Sequence, residues 1–348
     1  MSACPACGAD VATADQFCEA CGQALHEADA APVVVAAAAA PADVDATLST
    51  VVEPPASATD GQCTCGGTFD ADGWCDRCGQ RAPSKRDHIV VTISSNLAAV
   101  SDKGRHHPRN EDAVALAQVG DRSVLVVCDG VSSATDSDLA AVAAADTARN
   151  VLAAAAPPDA TSPAGQVDFY TELLSEAAHA ANAEVALVAQ HVGGQNPPSC
   201  TFAVAVVDGD LIVAAWIGDS RVYWLGDDGT ALQLSVDDSW ATEQVEHGLP
   251  RAVAEADPQA HSITRWMGAD APDPTPSCGS LAAPGAGWVL VCSDGLWNYC
   301  SGAADLGVLI QKYETLDPTR LCGNLVDWAN EQGGHDNITA ALARVERT

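Results

Sequence analysis

The strongest constraint on how this chain folds is an apolar run that stops at a carboxylate. Val124, Leu125, Val126, Val127 and Cys128 lead directly into Asp129-Gly130. A short β-branched run bounded by Asp-Gly reads as a buried strand ending in a turn. The same plan returns at Val289 to Cys292, which lead through Ser293 into Asp294-Gly295. Two acidic stops precede strand-like runs: Asn110-Glu111-Asp112 before Ala113 to Leu116, and His335-Asp336-Asn337 before Ile338 to Ala340. A lone Asp-Gly is usually a plain turn, but this recurrence sets several carboxylates at strand tips. Carboxylates gathered there repel one another unless a cation lies between them, and hard divalent cations are the natural occupants.

The chain has 47 acidic and 16 basic residues in 348, a net charge of −31. Nucleic-acid backbones and anionic membrane surfaces require basic patches, so neither is an expected partner. The N-terminus lacks a basic region followed by an apolar core, and the longest apolar run, Val33 to Ala40, is too short to span a bilayer. A cytoplasmic protein is therefore expected.

The N-terminal cysteines come in pairs. Residues 1–25 hold Cys4 and Cys7, then Cys18 and Cys21, and each pair is followed by Gly. Residues 62–82 repeat the plan with Cys63 and Cys65, then Cys75 and Cys78, the first of these pairs having one intervening residue instead of two. Four thiolates at this spacing fit a tetrahedral zinc, the alternative being reduced or redox-active thiols. Each unit is too small to bury a core, so metal would supply most of its folding energy. Two structural Zn²⁺ are expected, in units resembling the halves of a double zinc ribbon. Residues 26–61 are rich in Ala, Pro, Val and Asp, without Lys or Arg, and read as a flexible linker.

Residues 87–348 are long enough for one sizeable core. Strand-like runs occur at 89–93, 113–117, 124–127, 201–207, 211–217, 222–225, 288–292 and 338–344, and helical periodicity at about 136–155, 168–191 and 318–331. Asp208-Gly209-Asp210 and Gly226-Asp227-Asp228-Gly229 are hairpin signals. Strands grouped by hairpins, without strict alternation with helices, predict an α+β fold: an antiparallel β-sandwich flanked by helices, preceded by the small cysteine modules. The six cysteines after residue 100 read as core fillers, and Trp288 and Trp297 as packing residues.

Seven motifs then fall in order: Asn110-Glu111-Asp112-Ala113, Val127-Cys128-Asp129-Gly130, Ser199-Cys200-Thr201, Gly218-Asp219-Ser220-Arg221, Ile263-Thr264-Arg265-Trp266-Met267-Gly268, Ser293-Asp294-Gly295-Leu296-Trp297 and Gly334-His335-Asp336-Asn337. With them, residues 94–345 resemble the protein phosphatase 2C type of metal-dependent Ser/Thr phosphatase, in its bacterial branch. The resemblance implies two Mn²⁺ or Mg²⁺ ions at one end of the sandwich and hydrolysis of phospho-Ser/Thr by a water activated between them, with no phosphoenzyme. It implies that Asp129 bridges the ions, Gly130 offers its carbonyl to one, and Asp294 and Asp336 complete the other. Glu111 and Asp112 would orient water, Asp219 would serve a third ion, and residues 236–262 would form a flap. Phosphoproteins of a kinase-linked pathway are the implied partners.

This chain departs from that family at named positions. Val131 replaces a histidine that eukaryotic members carry after Asp-Gly, Ser132-Ser133 replaces a Gly-Gly pair, and Asn298 stands where an acidic residue is common. His107 occupies the usual place of a phosphate-binding arginine. Arg109, two residues before Glu111 and so on the same face of an extended segment, is the expected substitute anchor, with Arg105 as the alternative. A catalytically inactive scaffold that binds partners through its ribbons, and an enzyme acting on nucleotides or other small phosphates, are the competing readings.

Overall fold

The computed structural model describes residues 63, 65–70, 73–79, 81–156, 158, 162–192 and 196–346, with four short strands at 2–3, 10–11, 46–48 and 51–52. The chain divides into two compact units, residues 1–42 and 43–348. In the first, Ser2–Ala3 and Asp10–Val11 pair antiparallel. Cys4, Cys7, Cys18 and Cys21 lie outside the described residues, and so does the expectation of a first zinc site.

In the second unit the strands are β1 His88–Ser94, β2 Leu97–Asp102, β3 Ala113–Val119 and β4 Arg122–Cys128. Helices α1 Ser137–Ala154 and α2 Pro163–Val192 follow. Next come β5 Phe202–Asp208, β6 Leu211–Ile217, β7 Arg221–Gly226 and β8 Ala231–Gln233. Two short helices, α3 Trp240–Glu246 and α4 Arg251–Ala254, precede β9 Ser277–Ala282 and β10 Gly287–Cys292. The chain ends through α5 Asp294–Trp297, α6 Ala303–Gln311, α7 Pro318–Gln332 and β11 Ile338–Val345. No described helix is long and apolar enough to cross a membrane.

Two antiparallel sheets result. One runs β9-β6-β5-β4-β3 and the other β8-β7-β10-β11-β2-β1. Within the stretch expected as linker, residues 46–48 pair with β3 and residues 51–52 with β1, so this stretch adds an edge strand to each sheet. The rest of it lies outside the described residues.

The uninterrupted apolar runs have a simple cause: their strands are covered on both faces. In β4, Leu125 and Val127 point between the sheets, against Leu116, Ala203 and Val291. Val124, Val126 and Cys128 point the other way, onto α1 and α2. In β10, Val289 and Val291 join the inter-sheet layer while Trp288, Leu290 and Cys292 meet α6 and α7. A period of two therefore sorts one run into two apolar layers. Each fully buried Val or Leu contributes roughly 1.5–3 kcal/mol. Trp288 and Trp297 are buried, as are Cys128, Cys200, Cys292 and Cys322, whereas Cys278 is exposed on β9.

Topology then brings the carboxylates to one end. β3 starts beside the end of β4, with Ala113 opposite Cys128, and β11 starts beside the end of β10, with Ala340 opposite Cys292. The β6–β7 turn that carries Asp219 opens at the same end, since Phe202 lies opposite Ile217 and Arg221 opposite Cys292.

Candidate active site

Asp129, Gly130, Asp219, Asp294 and Asp336 line one cleft of about 160 Å³, with Val131, Thr201, His261 and Ile263. Gly130 has a steric reason to be glycine: a Cβ there would lie 2.8 Å from the Glu111 carbonyl oxygen and 2.9 Å from that of Ser137. Gly218, with φ +95°, turns the chain into Asp219 against the side chain of Thr201.

Neutral neighbours hold Asp112, Asp129, Asp294 and one side of Glu111. Asp112 is fully buried, and its Oδ2 accepts hydrogen bonds from Ser293 Oγ at 2.7 Å and Thr339 Oγ1 at 2.6 Å. Its Oδ1 has no partner among the described residues, and the same is true of Asp294 Oδ1. Asp294 Oδ2 accepts from Asn298 Nδ2 at 3.0 Å. Asp129 exchanges two backbone bonds with Thr201, donating its N–H to Thr201 Oγ1 at 2.9 Å and accepting from Thr201 N at 2.8 Å. Glu111 Oε1 accepts from Ser137 Oγ at 2.8 Å, and the Glu111 N–H donates to Asn337 Oδ1 at 2.7 Å. Asn337 also donates to the carbonyls of Lys103 and Arg109, tying three segments together. Asn337, Ser137 and Thr339 received no role from the sequence.

Burial and mutual repulsion dominate the electrostatics. Burial first, then Asp294 and Asp336, push Asp112 up to about 7 despite its two hydroxyl donors. Burial and Asp336 push Asp294 up to about 6. Asp129 and Asp219 are held well above the usual carboxylate range, again by burial first and neighbouring carboxylates second. Buried anions with partnerless oxygens are costly unless a cation offsets them. The nearby arginines do not supply it: Arg221 makes a two-pronged bond to Asp237 at 2.8 and 2.6 Å and stacks over Trp297. The chemistry of these carboxylates suits hard divalent cations, which Asp129, Asp294, Asp336 and the Gly130 carbonyl could hold.

The expected phosphate anchor is turned elsewhere. Arg109 and Glu111 do share a face, and for that reason they pair: Nε and Nη2 lie 3.0 and 2.8 Å from Glu111 Oε1. Arg109 Nη1 lies 3.5 Å from Asp136 and 3.3 Å from Asp138 at the start of α1. Three carboxylates hold its guanidinium, so Arg109 positions Glu111 instead of facing the cleft. Arg105 is exposed, its N–H bonded to the Gly334 carbonyl beside the Asp336 loop. His107 reaches that loop as well, with Nε2 3.2 Å from Asp336 Oδ1. Residues 236–262 carry α3 and α4 around a small cluster of Ala241, Ala254 and Ala260.

A second site lies before the sandwich. The sulfurs of Cys63, Cys65, Cys75 and Cys78 all fall within 4.8 Å of one another. Among the described residues, no other set of three or more metal-type ligands is as tight; the cleft carboxylates are spread wider. Burial raises the Cys75 thiol, but the amides of Cys78 and Arg77 bring it down to about 6. Four such sulfurs fit a tetrahedral Zn²⁺. From this module the chain enters β1 through Arg86, whose Nη2 donates to the Asp112 carbonyl at 2.9 Å and reaches that of Asn110 at 3.5 Å. Asn110 Nδ2 returns a bond to the Arg86 carbonyl at 3.0 Å.

A two-sheet sandwich with a cation-ready carboxylate cleft at its mouth defines the class of protein. Residues 104–330 match the family model described as Protein phosphatase 2C. The protein phosphatase PhpP of Streptococcus pneumoniae is 34% identical over 140 residues, 40% of this chain and only 54% of that relative's length. The serine/threonine phosphatase stp of Listeria innocua is 27% identical over 71% of this chain and 94% of its own. The catalytic domain of the serine/threonine protein phosphatase PstP, solved in complex with two manganese ions, superposes with a TM-score of 0.53 at 25% identity, over 72% of this chain and 98% of its own. The chain belongs to the protein phosphatase 2C family.

Proposed function

We propose that this chain is a metal-dependent phosphoprotein phosphatase that hydrolyses phospho-Ser and phospho-Thr. One observation carries the reading: carboxylates from four separate strand ends line a single cleft, and the buried Asp294 Oδ1 has no partner among the described residues. Two Mn²⁺ or Mg²⁺ ions held there would lower the pKa of a water and offset the charge of the phosphoryl oxygens. Asp129 would bridge the two, the Gly130 carbonyl would complete one set, and Asp294 and Asp336 the other. Asp219 would serve a third. Asp112, with its Oδ1 unpartnered among the described residues, and Glu111, clamped by Arg109, Ser137 and Asn337, would orient water from behind the metal holders.

The water oxygen attacks phosphorus in line as the bond to the Ser or Thr oxygen breaks. Val131 cannot donate a proton to that leaving oxygen, so the proton comes from water or from another group. Arg105 is the arginine open to a phosphoryl group. The cysteine module would hold a structural Zn²⁺ and serve as a docking element for phosphoprotein partners in kinase-linked signalling. Its four thiols, among the ten free cysteines of the described residues, suit the reducing cytoplasm.

The full chain should release inorganic phosphate from phospho-Ser/Thr peptides with Mn²⁺ or Mg²⁺, and stop when a chelator is added. No turnover in excess Mn²⁺ would transfer the fold to a binding role, and faster turnover of nucleotides than of phosphopeptides would make it a small-phosphate hydrolase.

A further inference from the structure

Beside the catalytic cleft lies a second, roomier groove of about 270 Å³. Its apolar floor is Val131, Ala134, Pro197, Ile263 and the indole of Trp266, and Asp270 is the one charged residue on its wall. Val131 and Ile263 also line the cleft, so a chain bound at the cleft continues into the groove. The walls are fixed by backbone pairing. Val131 donates to the Ser199 carbonyl at 3.0 Å, Thr135 to that of Asn196 at 3.1 Å, and Ser199–Cys200 pairs with Met267–Gly268. Trp266 Nε1 donates to Asp270 Oδ1 at 3.0 Å, which sets the indole and the carboxylate edge to edge. The second oxygen of Asp270 has no partner among the described residues, and the residue is exposed.

We propose that this groove seats a Lys or Arg side chain next to the phosphorylated residue, making the enzyme selective for phosphopeptides with a basic flank. The proposal rests on the phosphatase reading above. An aliphatic stem matches the Val131, Pro197 and Ile263 floor, and a cationic head matches the Trp266 face and the open Asp270 oxygen. An acidic flank meets Asp270 and a chain of net charge −31. An apolar flank fills the floor but strips water from Asp270 without replacing it. An exposed ion pair and a cation–π contact together favour the basic flank by about tenfold over the acidic one.

The test uses the full chain with Mn²⁺ and matched phosphothreonine peptides carrying Arg, Leu or Glu on either side of the phosphoresidue. On one side, kcat/KM should fall in the order Arg, Leu, Glu. Asp270→Asn should shrink the Arg-to-Glu ratio, and Asp270→Lys should invert it. A ratio near one in the native protein, or one that neither Asp270 variant moves, overturns the groove assignment while leaving the phosphatase reading intact. Failure to release phosphate from every peptide and from an aryl phosphate overturns both.

Discussion

The cysteine module and the carboxylate cleft are two answers to the same problem of holding a metal. The module draws its four sulfurs from residues 63–78, and the sulfurs sit within 4.8 Å of one another. The cleft draws its carboxylates from strand ends as far apart as Asp129 and Asp336, and a buried sandwich brings them together. The local site has almost no core of its own: among its described apolar side chains only Cys63 and Cys75 are buried. A Zn²⁺ held there would supply most of its folding energy. The remote site is framed by apolar layers that need no ion, so a metal bound there would serve chemistry and not the fold.

The largest expected effect separates the two sites. Asp129→Asn should abolish turnover and Mn²⁺ binding, yet the metal-free variant should melt no lower than the native protein, because a buried charge crowded by its neighbours has been removed. Cys75→Ser should do the reverse. Elemental analysis should show two zinc ions per native chain and one in the variant, with hydrogen-exchange protection lost in residues 63–82 and kept in β1–β11. A fall in sandwich protection in Cys75→Ser would erase the distinction.

A smaller effect probes the two arginines. Arg109→Ala frees Glu111 and should lower kcat by roughly 10–100-fold, as for other groups that orient a metal site. Arg105→Ala should instead raise KM for a phosphopeptide by about tenfold, the cost of one charge-assisted contact. If Arg109→Ala changes KM alone, the guanidinium leaves its three carboxylates to meet phosphate.

The smallest effect concerns an ion pair at the start of the sandwich. His88 Nδ1 sits 2.7 Å from Asp102 Oδ2, and that bond raises the imidazole pKa. Burial alone would raise Asp102, but bonds from His88 and Asn330 bring it below its ordinary value. The histidine contribution is complete below about pH 6.5 and is lost as pH rises through the raised folded value. The carboxylate contribution is present above about pH 4 and is lost as pH falls through the lowered one. The melting-temperature gap between native protein and His88→Asn should therefore be widest between about pH 4 and 6.5 and narrow on both sides. A gap independent of pH would rule the pair out.

How much of this was legible follows from chemistry as well. β4, β5, β6 and β10 could be read because their runs are β-branched and uninterrupted. β2, with its Ala pair, and β9, Ser277–Ala282, could not, since Ala, Ser and Gly carry little strand signal. The strand-end carboxylates stood out against apolar runs. Their neutral partners did not: Glu111 and Asn337 are 226 residues apart, and nothing local links an Asn to a distant backbone N–H. The fate of Arg109 depended on where α1 begins, and there Asp136 takes a left-handed φ of 47° that no periodicity reveals.

The Arg86 bond decides where the chain can be cut. A boundary drawn from the last cysteine of the module would fall near residue 82, and one drawn from the first strand at residue 88. Neither marks the working edge. Ser84 and Asp87 cap the turn that presents Arg86, and Arg86 grips the carbonyls on either side of Glu111. A protease that nicks before residue 84 leaves the Arg86 bonds in place. One that nicks after residue 86 takes away a side chain that the catalytic loop leans on, so the inheritable catalytic unit includes a short piece of what looks like tether.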